Sequence, residues 1–377
     1  MNVPISGSCD QRFAEVGDEF ALNFTERGEV GAGVCVLVDG VPVVDLAGGW
    51  ADLDQRTPWR PDTLVNFYSV GKAFIALLAL QLVDSGRIAL DDPVVAVWPE
   101  FGAGGKETVT LRHALCHRAG VPAIRQSLTN EALWEWEAMV EALAATKPWW
   151  EPGTRHAYHT NTYGHLVGEV VRRVTGDSCR RRLATVVGPL AADVHIGVPA
   201  GERHRCASVI FDVPPSTEAV DFNALSGDRR MEMMSYFNPP GYSSIGVVNT
   251  SDWRGAEIPS TNGHGTASGI ARVYAGLLED DRVLSAALLA EATSAQSEGY
   301  CPILHEDVTF GLGFKPTTPR RPFGPNRRSF GHFGTGGAVG FADPTAGVAF
   351  GYAMNHVIPR WQSTRNRALI DAVYRCL

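Results

Sequence analysis

Apolar positions recur at helical spacing near the start of the chain (Phe13, Val16, Phe20, Leu22), which predicts a helix within residues 9–28. Two β-rich runs follow, 33–38 and 41–46, and the Asp39-Gly40 pair between them predicts a hairpin. The period then changes. Residues 73–83 are apolar on every side, the mark of a buried helix. Further helices are predicted over 111–116, over 130–145 and over 161–175, the last stopped by Gly176, and another over 262–278. Strand patterns return at 310–314, 329–333, 339–343 and 348–355, before a final helix from about Trp361. Strands at both ends around a helical middle predict an α/β (α+β) fold. Residues 1–75 and 240–377 would form one antiparallel sheet domain built from both termini and flanked by helices, and residues 76–239 a mainly helical insert. The cleft between them is the natural place for a site.

Composition narrows the class. The chain has 377 residues, 45% hydrophobic and 20% charged, enough to bury a large core. Its net charge of −8 argues against a nucleic-acid partner or an anionic membrane surface, because phosphate binding needs clustered positive charge. Arg320-Arg321 and Arg327-Arg328 lie among Pro and Gly and read as solvated loop charges. Residues 1–8 lack the basic and apolar segments of a signal peptide, and 73–83 is too short to span a bilayer. Seven scattered cysteines without a C-x-x-C pair point to reduced thiols in a cytoplasm.

The candidate chemistry begins at Ser69, three residues before Lys72 and directly ahead of the apolar run. A serine hydroxyl is a poor nucleophile near neutral pH and needs a base within hydrogen-bond reach, together with dipoles that stabilise the oxyanion. On a helix, residues three apart share a face, so the Lys72 amine would lie beside the hydroxyl while free N–H groups of the first turn point at the reacting carbonyl. Burial favours the uncharged amine, which is then a base. S-x-x-K is a short pattern, but of only four lysines (Lys72, Lys106, Lys147, Lys315) the one preceded by this serine also heads the buried helix.

Other patterns are weaker. Tyr158 stands in a loop after Pro152-Gly153 and just ahead of the helix expected from Asn161, where a phenol projects into a cleft or covers a core edge. The glycine-dense stretch 329–337 sits between strands, where glycine means a bulge or a close backbone approach. It fails the spacing of a dinucleotide loop, and 102–106 fails that of a phosphate loop. His113 and His117 have a zinc-compatible spacing, but Ala114 stands where the metalloprotease pattern needs glutamate. No G-x-S-x-G elbow occurs, which argues against an α/β-hydrolase.

Taken in order, Ser69-x-x-Lys72, Tyr158 and His332-x-Gly334 resemble the three motifs of the serine β-lactamase and penicillin-binding-protein superfamily, most closely its family VIII carboxylesterases, which are similar to class C β-lactamases. The resemblance runs from about Gly33 to Asn355 and implies the β-lactamase/transpeptidase-like fold. It implies Ser69 as nucleophile, Lys72 and Tyr158 as the base pair, with the Tyr158 pKa lowered by Lys72, and the N–H groups of Ser69 and Thr335 as oxyanion hole, with His332 and Gly334 beside the substrate. Two departures stand out. His332 occupies the place of a lysine that meets the carboxylate of a β-lactam, and the second motif reads Tyr158-His159-Thr160 with Asn161 one place late. Both favour ester chemistry over β-lactam hydrolysis. The implied activity is hydrolysis of short-chain acyl esters, small-molecule substrates, through acyl-Ser69, with no cofactor and no metal. Acyl transfer, amidase or D-peptidase action and weak β-lactam turnover are alternatives within the same site, and a catalytically silent scaffold is the alternative outside enzymology.

Overall fold

The computed structural model describes residues 3–212, 220–358 and 362–377. Its main sheet is antiparallel and joins the two ends of the chain. The strands, in chain order, are β1 (Ile5–Cys9), β2 (Gly31–Val38), β3 (Val41–Asp52), β4 (Lys315–Pro316), β5 (Phe330–Phe333), β6 (Val339–Asp343) and β7 (Val348–Met354). They lie side by side as β1-β3-β2-β7-β6-β5-β4. Asp39 and Gly40 both have positive φ, 48° and 77°, the mirror turn whose twist suits a two-residue hairpin, and it sets Val38 opposite Val41. The N-terminal and C-terminal halves meet where β2 pairs β7, from Ala32 opposite Met354 to Val38 opposite Val348.

Five helices place the site: α1 (Ala14–Glu26), α2 (Gly71–Asp84), α3 (Thr162–Thr175), α4 (Ala267–Leu278) and α5 (Thr364–Cys376). Helix α4 lies against a row of glycines on one sheet face. A Cβ on Gly351 would sit 2.2 Å from the Ala267 carbonyl oxygen, and one on Gly340 2.4 Å from the Tyr274 ring. On the opposite face, α1 packs Phe20 and Phe24 over Gly48. Helix α2 is apolar all round because it is buried all round, from Gly71 to Leu80.

Four predicted elements differ in detail. The helix expected over 130–145 breaks at the extended Glu135 into a 3-10 turn, Asn130–Trp134, and a helix, Trp136–Ala145. That expected over 262–278 begins only at Ala267, where the Thr266 hydroxyl caps it by accepting the Gly269 N–H at 2.9 Å. The residues before it, Gly263–Gly265, form a strand between Val65–Asn66 and Val194–Ile196. The strand expected over 310–314 ends at Phe310 and turns through Gly313 (φ 83°) before β4. The final helix starts at Thr364, while Trp361 lies outside the described residues. Strand β1 and the hairpin of Ser297–Cys301 with Glu306–Phe310 were not foreseen; β1 has no apolar alternation, and in the hairpin only Val308 and Phe310 alternate, too short a run to stand out.

The terminal helices are clamped by a fully buried ion pair. Arg365 of α5 meets Glu29 at 3.1 Å, and the same guanidinium donates to the carbonyls of Arg27 (2.9 Å) and His356 (3.0 Å). Tyr352 of β7 donates its hydroxyl to the same carboxylate. Arg365→Leu leaves that carboxylate buried without its cation, so we expect it to cost about 3–5 kcal/mol in a urea unfolding experiment. A loss below about 1 kcal/mol would show the pair to be dispensable.

Candidate active site

Residues 68–70 make one 3-10 turn that runs into α2. Tyr68 has φ 51°, a left-handed conformation that costs a side-chain-bearing residue about 1–2 kcal/mol and is sustained by its surroundings. The surroundings are specific: Phe67 N–H donates to the Gly263 carbonyl at 2.9 Å, and Asn66 donates to the Thr261 carbonyl and accepts the Trp253 indole N–H, both at 3.0 Å. The turn sets Ser69 in the wall of a cavity of about 490 Å³, lined mostly by apolar groups such as Phe211, Tyr236, Ile245 and Val357.

One helical turn on, Lys72 brings its Nζ to 3.0 Å from Ser69 Oγ and 3.0 Å from the Ser260 carbonyl oxygen. The Ser260 loop is fixed in turn, its hydroxyl accepting the Gly164 N–H of α3 at 2.6 Å. Burial holds the proton affinity of Lys72 well below that of an ordinary lysine, and the positive charge of Lys315 adds to the effect. As an ammonium, Lys72 donates to both oxygens; in its free-amine form the lone pair is able to accept the Ser69 O–H while an N–H still donates to Ser260.

Tyr158 is also buried, in a small core of its own with Ala157, Met231, Cys301 and Phe310. Its N–H donates to Cys301 Sγ at 3.2 Å, and its ring stacks on Phe310 with centroids 5.8 Å apart and planes within 5°. Lys72 Nζ lies 4.9 Å from the centre of that ring. The expected lowering of the phenol pKa is not found. Burial raises it, outweighing the opposing hydrogen bond with Ser69. Both shifts favour the uncharged forms, a phenol and a free amine.

The other predicted residues separate into two groups. Thr335 lines the cavity with Ser69, and Gly334 carries the backbone close to the Ser69 turn, where a Cβ would meet the Phe67 carbonyl oxygen at 2.3 Å. His332 instead lies buried behind Tyr158, ring centroids 6.4 Å apart, with its Nδ1–H donated to the Phe333 carbonyl at 2.7 Å. Burial first, and then nearby positive charge, holds the proton affinity of its imidazole well below the ordinary value. Asn161, the displaced asparagine, is tied into the wall: its amide donates to Ser235 O and Ser243 Oγ, both at 2.8 Å, and accepts the Thr261 hydroxyl at 2.7 Å.

The histidine pair does not converge. The helix around His113 ends at Leu115 and His117 takes φ 64°, so the two share no helical face. His113 Nδ1 accepts the Thr110 N–H, and His117 Nδ1 accepts the His159 N–H at 3.1 Å. Among the described residues no group of three or more His, Cys, Asp or Glu is placed to hold a metal.

Residues 10–375 match the Beta-lactamase family model. The chain belongs to the Beta-lactamase family. It is 34% identical over 370 residues to the esterase/beta-lactamase LipL of Mycobacterium tuberculosis, an alignment that covers 94% of this chain and 83% of that one. Its fold superposes on the crystal structure of a family VIII carboxylesterase with a TM-score of 0.91 at 37% identity, covering 99% and 100% of the two chains. A penicillin-binding protein homolog from Caulobacter crescentus gives 0.89 at 36%, with the same coverage. The expected β-lactamase/transpeptidase-like fold is thus the observed one.

Within this family frame, sequence reasoning missed two contributors. Tyr68 carries backbone strain that no motif announces. Lys315, on β4, is buried with its Nζ 4.4 Å from the centre of the Phe310 ring, and its only sequence signal was a place beside an apolar strand pattern. The close approach at Gly334 yields a direct test. Gly334→Ala is expected to lower turnover of a p-nitrophenyl ester at least tenfold, since a displaced backbone near the reacting atoms is costly, with the far-ultraviolet circular dichroism unchanged. Gly201→Ala, where a Cβ meets nothing within 4 Å, serves as the neutral control.

Proposed function

We propose that the chain is a serine carboxylesterase in which Ser69 attacks short-chain acyl esters, Lys72 is the resting base and Tyr158 relays protons. One observation carries the reading: the buried Lys72 amine, its proton affinity held well below that of an ordinary lysine by burial, stands 3.0 Å from Ser69 Oγ at the wall of a largely apolar cavity. The Ser69 proton passes to Lys72 as Oγ bonds to the substrate carbonyl carbon, and the N–H groups of Ser69 and Thr335 receive the oxyanion. When the C–O bond to the alcohol breaks, Tyr158 gives its proton to the leaving oxygen and takes the one on Lys72, so no free phenolate accumulates. Water then repeats the sequence in reverse, releasing the acid and restoring Ser69. An alcohol in place of water would make this acyl transfer. His332 lies behind Tyr158 and is uncharged, which supports a weak hold on a β-lactam carboxylate. No helix among the described residues is long and apolar enough to cross a membrane. Seven free thiols support a reducing compartment, the cytoplasm.

Ser69→Ala is expected to lower hydrolysis of p-nitrophenyl butyrate on the order of a thousandfold and to abolish labelling by an organophosphonate probe. Activity within tenfold of the parent, or a label mapping to Ser243 or Ser268, would overturn the assignment.

Tyr158→Phe keeps the stacked ring and removes the hydroxyl, so kcat should fall by roughly 10²–10⁴-fold with little change in melting temperature. Lys72→Ala should fall by a similar factor, and the double variant should be hardly worse than either, because groups acting as one unit are non-additive. Near-parental turnover by Tyr158→Phe would make the phenol a packing group and leave Lys72 to move every proton.

A further inference from the structure

Lys315 is the second lysine of the site, and neither the motifs nor the proposed chemistry uses it. It enters from β4, opposite Gly331, the residue before His332. Two aromatic rings connect it to the base. Lys315 Nζ lies 4.4 Å from the centre of Phe310, Phe310 stacks in parallel on Tyr158, and Lys72 Nζ lies 4.9 Å from the centre of Tyr158. The column is buried, and the positive charge of Lys315 bears on Lys72.

We propose that Lys315 is a positioning residue for this site, its ammonium held across Phe310 so that Lys72 rests against Ser69 as the free amine. The proposal builds on the Ser69, Lys72 and Tyr158 roles given above. The surrounding charges favour it. Glu306, the acid that bears on Lys315, also meets Arg320 at 2.8 Å and Arg321 at 2.9 Å, and Arg321 in turn bears on Lys315. Cys301 bears on Lys315 too, and burial keeps that thiol protonated and uncharged. His117, His156 and His332 all feel Lys315, and burial keeps each of them neutral. Burial brings Lys315 down to about 8 and holds Lys72 well below its ordinary value, and the positive charge of Lys315 adds to the Lys72 shift.

With four lysines in the chain, the side chains are separately observable by NMR after labelling at Cε, and Lys72→Arg identifies the Lys72 resonance. The Lys72 titration midpoint and the acid limb of kcat/KM for p-nitrophenyl butyrate should both rise by about one pH unit or more in Lys315→Met, the size expected for removing a nearby buried charge. Below the limb this is about a tenfold loss of rate, recovered by raising the pH. Lys315→Arg, which keeps the charge, should leave both where they are. A Lys72 midpoint that stays within 0.3 unit (~0.4 kcal/mol) in Lys315→Met overturns the proposal. If the methionine variant fails to fold, an upward shift in Lys315→Arg overturns it equally, and an unmoved midpoint there supports it. The NMR readout needs no turnover: should Ser69→Ala still take the organophosphonate label, the catalytic reading fails while the coupling between the two lysines is judged on its own titration.

Discussion

Everything at the site depends on keeping an amine dry. Lys72 is enclosed by α2, α3 and the Ser260 loop, and the same enclosure that makes its ammonium unfavourable makes its lone pair available to Ser69 at 3.0 Å. A lysine at this place on a solvated helix would remain charged and could not accept the serine proton. In the proposed mechanism the apolar character of α2 on all sides is thus part of the chemistry as well as of the core. The hydrogen bond to Ser260 serves both ends: it satisfies one amine proton in a place without water, and it aims the lone pair at Oγ.

That enclosure is built by chain segments far apart in sequence. Joining β2 to β7 brings β5, with Gly334 at its exit, against the turn that carries Ser69, and the glycine row under α4 lets helix and sheet approach to backbone contact. The α1–α5 side of the sheet is fastened by Arg365, Glu29 and Tyr352. Tyr158 belongs to a separate small core under the 297–310 hairpin, so the position of its hydroxyl relative to Ser69 is set by how that hairpin seats against the loop before α3.

Legibility from sequence followed the strength of local physics. The Asp39-Gly40 hairpin, the buried α2, the stop of α3 at Gly176 and the stretch Val339–Asp343 were readable because turn chemistry and apolar period agree there. The order of Ser69, Lys72, Tyr158 and His332 was readable as a resemblance, since each sits in a recognisable flank. What stayed hidden was non-local. Glu135 breaks a pattern that local spacing would continue, β1 is an edge strand with four of its five residues exposed, and Gly263–Gly265 becomes a strand only because two others flank it. The direction of the Tyr158 shift was hidden too, because it is decided by how deeply the ring is buried and by whether Lys72 carries charge, neither of which a motif records.

That reversal changes how the site divides its labour. A phenolate beside an ammonium and a phenol beside a free amine hold the same number of protons, and the choice between them turns on which anion or cation the surroundings can solvate. Tyr158 sits among Phe310, Met231 and Cys301, which offer a phenolate little, and Lys72 is buried, which disfavours its ammonium. The uncharged pair is therefore the resting form. In the proposed mechanism, charge on this pair appears only as Oγ attacks, when an oxyanion and an ammonium arise together and stabilise one another across a few ångströms of low dielectric. A site arranged this way spends its electrostatic advantage on the transition state and almost none on the empty cavity.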